Sequence, residues 1–350
     1  MARLSLKSIR RENARMVLEA IARKKHITKL EISEETGLSL MTAGKLVSVL
    51  GAGGIIMRGM STSQKVGRRA EVFRIRHDWL IPVFEISTRI FKFIVTDLEG
   101  NVVDKIEYRC CDDPMFIANE FISFLHQTVA LLKKKYRHKK SLGIGVAVTG
   151  VYDAEKDRII SSMMPELSSI KLMQNITKIF KNKNVVIENA NRLSAAGLIE
   201  STANYRELTI SCLTVNDSIE CTTCDHGVYI SGTNNLAGRL GDLPYAAGHT
   251  YANYLRNAKN VDDTFSPVVD LMKNIVVSYD PDKIFLCSDK FIYYPQIKDR
   301  IHSTVINGMR WPNQKRPELV AVNSTTLESV NAIISRVIGN WLDELLSDEA

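Results

Sequence analysis

The stretch that decides the fold of the N-terminal part lies at residues 28–50, which read TKLEISEETGLSLMTAGKLVSVL. Thr28, followed three residues later by Glu31, forms the capping-box pattern that opens a helix. Gly37 can adopt the left-handed backbone conformation that ends this helix, and Ser39 is a good N-cap for the next one. The stretch therefore predicts two short helices joined by a tight turn, which is the helix-turn-helix motif.

The residues on either side of this stretch predict the other parts of a winged helix. A first helix is expected from Ser8 to about Lys24, where apolar residues recur every three to four positions. Its buried stripe is predicted to contain Ile9, Ala14, Val17, Leu18 and Ile21. After the third helix, Ile55–Arg58 and Ala70–Arg76 are typical of strands, and the loop GMSTSQKVGRR between them would form the wing.

The charge of the chain is concentrated in this N-terminal part. Residues 1–80 contain 16 Lys and Arg against 7 Asp and Glu, a net charge of +9. Residues 81–350 contain 30 and 32, a net charge of −2. A small basic module on a near-neutral body is typical of nucleic-acid binding. The alternative is a basic, solvated helical bundle with a purely structural role.

If the motif binds DNA, its second helix lies in the major groove. The residues expected to face base edges or phosphates at the start of this helix are Ser39, Leu40, Met41, Thr42 and Lys45. Basic side chains at the wing tip suit a narrow minor groove, and those expected there are Lys65, Arg68 and Arg69. Because such proteins bind as two-fold dimers, we expect a homodimer or dimer of dimers on pseudo-palindromic double-stranded DNA.

The composition of the 350 residues excludes several other classes of protein. No segment approaches the ~18 apolar residues of a membrane span, and the charged N-terminus does not look like a signal peptide. Six cysteines are too few for a disulfide scaffold and fit a reducing environment. These observations predict a cytoplasmic protein without membrane partners.

From Pro82 onward the pattern changes to strands that alternate with helices. Two copies of a β-β-β-α-β order predict an α/β body of two lobes with a cleft between them. The expected domains are residues 1–80, which we call the head, and residues 81–350, which we call the body. Lobe one would take in about 81–190 and the C-terminal helix, and lobe two about 191–335.

Four stretches of the body resemble the ROK (repressor, open reading frame, kinase) family. They are DLEGNVV at 97–103, GIGVAVTGVYD at 143–153, VIENANRLSAAG at 186–197 and SGTNNLAGRLGD at 231–242. The wing sequence GRR is also similar to that of ROK repressors. The resemblance implies an α/β protein, with a winged helix-turn-helix followed by a two-lobed actin-like ATPase and sugar-kinase (ribonuclease H-like) fold.

The chain departs from the ROK kinases at the positions that carry their chemistry. Neither phosphate loop keeps its glycines, since the matching stretches read Glu85–Arg89 and Thr214–Ile219. Asn189 stands where the family has its catalytic Asp, and a neutral amide cannot act as a general base near pH 7. We therefore expect no catalytic residue, no cofactor and no kinase activity.

The zinc segment implied by the resemblance is altered as well. Residues 245–252 contain no cysteine, and Asp242 replaces the upstream His ligand, so no metal is expected. Cys221 and Cys224 have metal-like spacing, but they lie in a strand pattern without a second ligand pair. Buried thiols are the better interpretation.

The family's sugar-binding Glu corresponds to Arg239, which leaves two interpretations. Arg239 either faces an anionic group of a new ligand or forms an ion pair with Glu188 or Asp242 in a cleft that binds nothing. The ligand-binding residues implied by the resemblance are Thr149, Gly150, Glu188, Asn189, Arg239 and Asp242.

Together these observations predict a DNA-binding transcription regulator of the ROK type, a repressor of carbohydrate-related genes. Its body would be a catalytically dead sensor and dimerisation domain that binds a sugar or sugar derivative as effector. One alternative is a sugar kinase-like enzyme with residual ATP-dependent phosphotransferase activity. Another is an architectural protein that needs no ligand.

Overall fold

A computed structural model describes residues 6–60, 70–87, 90–110, 114–160, 165–216, 218–246, 248–288, 296–311, 315–322 and 326–347. The chain divides into two compact units. Unit one comprises Met1–Glu188 and Ile333–Ala350, and unit two comprises Asn189–Ala332. Within the described ranges, no helix is long and apolar enough to cross a membrane.

The head has the predicted order of three helices and a hairpin. Its elements are α1 (Leu6–Lys24), α2 (Lys29–Thr36), α3 (Leu40–Ala52), β1 (Ile56–Met60) and β2 (Glu71–Ile75). The two strands are antiparallel, and Ile27 adds a bridge of two backbone hydrogen bonds to Phe73. The α1 stripe is buried as predicted except at Ile9, which is 42% exposed. Periodicity alone does not show which positions of a helical stripe the rest of the fold covers.

Local contacts explain why the head folds this way. The Thr28 backbone N–H donates to Glu31 Oε2 at 2.8 Å, and the Glu31 N–H donates back to Thr28 Oγ1 at 3.3 Å. Both halves of the predicted capping box are therefore present at the start of α2. Gly37 ends α2 with φ +69°, a conformation that glycine adopts at low cost.

The first lobe is built on a six-stranded sheet. Its elements are β3 (Trp79–Ile86), β4 (Ile90–Thr96), β5 (Val102–Arg109), α4 (Pro114–Lys135), β6 (Lys140–Ser141), β7 (Ile144–Val148), β8 (Val151–Asp153), β9 (Arg158–Ile160), α5 (Leu172–Phe180) and β10 (Val185–Asn189). The sheet order is β10-β7-β3-β4-β5, with β6 paired to β3, while β8 and β9 form a separate hairpin. Phe84, Phe91 and Phe93 from the sheet meet Phe121 and Phe124 of α4 in the core.

The C-terminal helix, α10 (Thr326–Ser347), joins the first lobe to the head. Gly143 lets the helix approach the sheet, because a Cβ there would lie 2.6 Å from the Val337 side chain. One turn further along α10, Trp341 packs against Gly53 of the head in the same way. Arg11 of α1 also forms an ion pair with Asp343 at 2.9 Å.

Unit two is built on a second, five-stranded sheet. Its elements are α6 (Ala190–Glu200), β11 (Thr209–Val215), β12 (Ile219–Asp225), β13 (Val228–Tyr229), β14 (Pro244–Ala246), β15 (His249–Thr250), α7 (Tyr251–Arg256), α8 (Val261–Tyr279), β16 (Lys283–Cys287), α9 (Gln296–Ile301) and β17 (Glu318–Val322). The sheet order is β13-β12-β11-β16-β17. One core cluster lies between this sheet and α8, and another lies beneath α6. The order of three strands, helices and a further strand thus occurs in both parts of the body, as predicted.

Candidate functional site

The start of α3 is held by a local cap. The Thr42 N–H donates to Ser39 Oγ at 3.2 Å, and the two hydroxyl oxygens lie 2.9 Å apart. Ser39 is therefore the N-cap of α3, as predicted. The hydroxyls of Ser39 and Thr42 contact each other within the first turn of the helix. Of the residues predicted to face DNA, these two have a structural role in placing the others.

The other predicted residues of α3 point away from the head's core. Leu40 is 52% exposed and Met41 is 73% exposed, and Lys45 lies exposed one turn further along. The opposite side of the helix is buried by Ala43, Leu46, Val47, Val49 and Leu50. Such an arrangement offers apolar atoms to thymine methyl groups and one cation to a base edge or a phosphate.

A shallow groove beside α3 brings the predicted residues Met41 and Lys45 together with others that the sequence did not single out. Its lining comprises Arg10, Lys29, Met41, Gly44, Lys45, Ser48 and Val49. A Cβ at Gly44 would meet nothing within 4 Å, so the backbone of α3 is open to close approach there. Arg10 and Lys29 come from α1 and α2, and their positions beside Lys45 follow only from the packing of the three helices.

The wing contributes further charge near the helices. Arg58 of β1 contacts Glu71 of β2, and Lys29 Nζ lies 3.3 Å from the same carboxylate. Arg74 is exposed on β2. The predicted wing-tip residues Lys65, Arg68 and Arg69 lie outside the described residues, so their role remains a prediction.

In unit two, Asn189 occupies a structural position at the start of α6. Its Oδ1 accepts the Arg192 N–H at 2.9 Å, so it caps the helix, and its Nδ2 donates to Glu220 Oε1 at 3.4 Å. Burial raises the pKa of Glu220, against the opposing charges of Arg239 and Arg192. Glu220, which sequence reasoning missed, thus links Asn189 and Arg239 electrostatically.

Arg239 has an ion-pair partner within unit two. Its Nε lies 2.9 Å from Asp242 Oδ2, which is one of the two pairings that the sequence left open. The Asp242 side chain is 64% exposed, so this pair is worth little to stability. The alternative, an anionic ligand facing Arg239, remains a proposal.

The remaining predicted ligand-binding residues belong to unit one. Thr149 follows β7, and its N–H donates to Ile86 O at 2.9 Å. Gly150 adopts φ +126°, a conformation that other residues rarely adopt. Glu188 lies near the end of β10, the strand next to β7 in the sheet. The predicted set is therefore divided, with Asn189, Arg239 and Asp242 in unit two.

In the stretches that match the phosphate loops, the described residues bond to neighbouring strands and turns. Glu85 lies 3.3 Å from Lys92 Nζ across β3 and β4, and Ser87 donates through both N–H and Oγ to Ile90 O. Thr88 and Arg89 lie outside the described residues. In the second stretch, the Asn216 N–H donates to Ser218 O in the turn before Glu220. A carboxylate beside this turn opposes the approach of an anion such as a phosphate.

The residues at the family's zinc segment do not fit that metal. Tyr245 packs its ring 4.5 Å from Tyr251 and 4.8 Å from Tyr254, and Asp242 is paired with Arg239. These side chains provide none of the thiolates of a structural zinc site. Cys221 and Cys224 are buried in β12 on opposite faces of the sheet, as the two core clusters show. The prediction of buried thiols is therefore confirmed.

The fold as described defines a class of protein: a winged helix-turn-helix followed by a sugar-kinase-like α/β body. No protein-family model matches the chain. Two xylose repressors are similar to it, one from Bacillus spizizenii (22% identical over 240 residues) and one from Bacillus subtilis (21% over 238). Each match covers 67% of this chain but only 61% of the repressor's length.

Solved structures show the same fold. A ROK family transcriptional regulator, a homologue of the E. coli MLC protein, matches with a TM-score of 0.69 at 15% identity and covers 98% of this chain and 100% of its own. A ROK family protein from Streptococcus pneumoniae, in complex with sucrose, matches at 0.55 and 16% identity, over 76% of this chain and 98% of its own. The ROK hexokinase from Thermus thermophilus matches at 0.54 and 13% identity, over 73% and 97%. The predicted fold class and the resemblance to the ROK family are confirmed.

Proposed function

We propose that the chain is a ROK-type transcription regulator whose head binds double-stranded DNA. The observation that carries this proposal is the exposed side of α3, where Leu40, Met41 and Lys45 project from a helix start held by Ser39 and Thr42. A surface that places apolar and cationic side chains on one short helix suits major-groove binding. The solved regulator that matches 98% of the chain, head included, supports it.

We further propose that the regulator is a repressor of carbohydrate-related genes and responds to a sugar or sugar derivative. The similar curated proteins are named xylose repressors, and one similar structure was solved with sucrose. Thr149, Gly150, Glu188, Asn189, Arg239 and Asp242 are the residues proposed to contact the effector. The protein would act in the cytoplasm as a homodimer or dimer of dimers, with residues 1–80 as its DNA-binding domain.

We also propose that the body is not an enzyme. Asn189 caps a helix where a kinase needs a base, and Glu220 lies beside the turn where a phosphate would approach. The similarity to a ROK hexokinase supports the alternative of residual kinase activity only at the level of the fold. A coupled ATPase assay with several hexoses separates the two, because activity at an ordinary enzymatic rate would overturn the regulator-only proposal.

The test of DNA binding uses duplexes selected by the purified protein from a random library. In Lys45→Gln, affinity for the selected duplex should fall by about 1–3 kcal/mol, roughly 5- to 150-fold, and affinity for random duplex should fall much less. Lys178→Gln, which removes an exposed charge from α5, is the control and should change neither. Failure of the intact protein to select any duplex would contradict the proposal.

A further inference from the structure

A second concentration of positive charge lies in the body, outside the winged helix. Residues 133–140 read KKKYRHKK, with six Lys and Arg, one His and no acidic residue. We call this segment the basic run. The other residues of 81–350 contain 24 Lys and Arg against 32 Asp and Glu, a net charge of −8. The basic run is therefore a local exception on an acidic body.

The basic run is fixed at both ends by the first lobe. Lys133–Lys135 form the last turn of α4, and Tyr136 then anchors the chain, because its hydroxyl donates to Asp104 Oδ2 at 3.2 Å. At the other end, Lys140 pairs with Trp79 in the β6–β3 ladder, and its N–H donates to Asp78 O at 2.8 Å. The cations between these anchors have a defined place in the fold.

That place is the base of the head. Lys139 Nζ donates to the His77 carbonyl oxygen, and Lys140 Nζ lies 5.5 Å from the centre of the Trp79 ring. Trp79 in turn donates through Nε1 to Gly54 O at 2.7 Å, directly after α3. Trp79 therefore contacts both the basic run and the segment that follows α3. All of these contacts lie within unit one.

Most of this charge is displayed to solvent. Every Lys, Arg and His of the run is exposed, and only Tyr136 is partly buried. Lys135 is paired with Asp104 at 2.8 Å, which raises the pKa of the lysine. Within the part of the chain that the structure describes, no carboxylate pairs with Lys133, Lys134 or Arg137. Favourable interaction with the C-terminus of α4 accounts for cations in its last turn, but not for those that follow it.

We propose that the basic run binds backbone phosphates of duplex DNA that flank the site contacted by α3. This inference rests on the proposed function of the head. The 13 residues of α3 span about 20 Å, whereas one turn of DNA, the usual spacing of half-sites, spans about 34–36 Å. DNA held against α3 therefore continues past the helix, and an exposed cationic segment at the base of the head complements its charge. Such contacts add affinity without reading sequence.

The experiment compares two triple variants of the full chain with equal loss of charge. The first is Lys133→Gln with Lys134→Gln and Arg137→Gln, which leaves the anchors Lys135, Tyr136 and Lys140 in place. The control is Lys178→Gln with Lys181→Gln and Lys183→Gln, three exposed lysines in and after α5 of the same unit. Dissociation constants are measured from about 50 to 200 mM salt. The duplexes are a selected site of about two turns, which holds both half-sites, and the same site with about one further turn on each side.

On the extended duplex, the first variant should bind on the order of tenfold more weakly at low salt. The slope of log affinity against log salt should also be smaller by about 2.7, or 0.9 for each lost phosphate contact. On the short duplex both variants should bind like the intact protein. In the intact protein, the extended duplex should protect Lys133 and Lys134 from chemical acetylation, a readout that does not depend on the folding of a variant.

The results separate this inference from the proposed function. The intact protein could bind the selected site while the first variant keeps the full salt slope on the extended duplex. This result would overturn the basic-run proposal alone. An equal loss in the control variant would also overturn it, because the effect would then be one of net charge. Failure of the intact protein to bind either duplex would remove both proposals.

Discussion

The head and the second unit of the body use polar side chains in opposite ways. In the head, Ser39 and Thr42 bind each other and leave Leu40, Met41 and Lys45 exposed beyond the capped turn. In unit two, Asn189 caps α6 and donates to Glu220, while Arg239 pairs with Asp242. The comparison indicates that the polar contacts in the head fix the start of α3, and that its exposed side chains are available to a partner. The residues of unit two that match the kinase site contact one another within that unit instead.

The largest effect is expected from a change of charge at Ser39, the N-cap of α3 in the head. Ser39→Ala removes the acceptor of the Thr42 N–H and should cost about 1 kcal/mol in the free energy of unfolding. Ser39→Asp keeps a good N-cap but places a negative charge at the start of α3. We therefore expect Ser39→Asp to be the more stable variant and yet to bind DNA the more weakly, by tenfold or more at low salt.

Thermal unfolding and fluorescence anisotropy at two salt concentrations measure both quantities. The deficit of Ser39→Asp should shrink as salt rises, because it comes from repulsion between the carboxylate and phosphates. If Ser39→Asp instead binds at least as well as Ser39→Ala, the start of α3 does not face DNA. The exposed side of the helix would then serve a different partner.

The two regions also differ in how far the sequence alone could predict them. The Thr28–Glu31 and Ser39–Thr42 contacts join residues three positions apart, so their spacing is visible in the sequence. The contact between Asn189 and Glu220 spans 31 positions and depends on the placement of α6 over β12. No local pattern marks Glu220, and the sequence analysis did not find it.

The fold of the body was predictable because strand and helix patterns alternate along it and the four ROK-like stretches occur in order. The C-terminal helix was also expected in lobe one, but the contact that lets α10 approach the sheet was not, since it depends on Gly143 facing Val337 far along the chain. In the same way, Arg10 and Lys29 lie near Lys45 only because three helices pack together. Contacts between segments that lie far apart in the chain determine the details of the candidate site. The spacing of residues in the sequence does not reveal these contacts.

The second expected effect tests whether the Asn189 position retains any kinase chemistry. Asn189→Asp keeps an acceptor for the Arg192 N–H but replaces the donor that faces Glu220 with a second carboxylate. Two like charges at this separation should destabilise the folded state by about 1–3 kcal/mol at neutral pH, and less in acid, where the pair can share a proton. We expect no phosphorylation of hexoses by this variant, because the stretches that match the phosphate loops lack the family's glycines.

Thermal unfolding across pH, with a coupled ATPase assay, provides the measurement. Asn191→Asp is the matched control, since it adds the same charge two residues away, where the Asn191 side chain donates to Ser218 Oγ at 2.6 Å and not to the Glu220 carboxylate. It should be tolerated better. Sugar phosphorylation by Asn189→Asp would show that the body still holds an ATP site, and the contrast between head and body would fail.

The smallest effect is expected in the pH dependence of stability, and it comes from the carboxyl group of Glu220 in unit two. Because burial raises the pKa of Glu220 in the folded protein, the folded state holds its proton to higher pH than the unfolded chain does. The stability contributed by this group is present below the ordinary value of 4.5 and is lost as pH rises through the raised pKa. The side chain at this position cannot titrate in Glu220→Gln. The melting temperature of this variant minus that of the intact protein should therefore increase as pH rises above 4.5.

Asp282→Asn is the control with the opposite sign. Hydrogen bonding from Lys315 lowers the pKa of Asp282 below its ordinary 3.8, so the stability from this carboxylate is present above that value and lost only in acid. Between about pH 5 and 8, its deficit should therefore stay constant while the advantage of Glu220→Gln changes. If the two difference curves are parallel instead, Glu220 is not shielded from water, and burial does not raise its pKa.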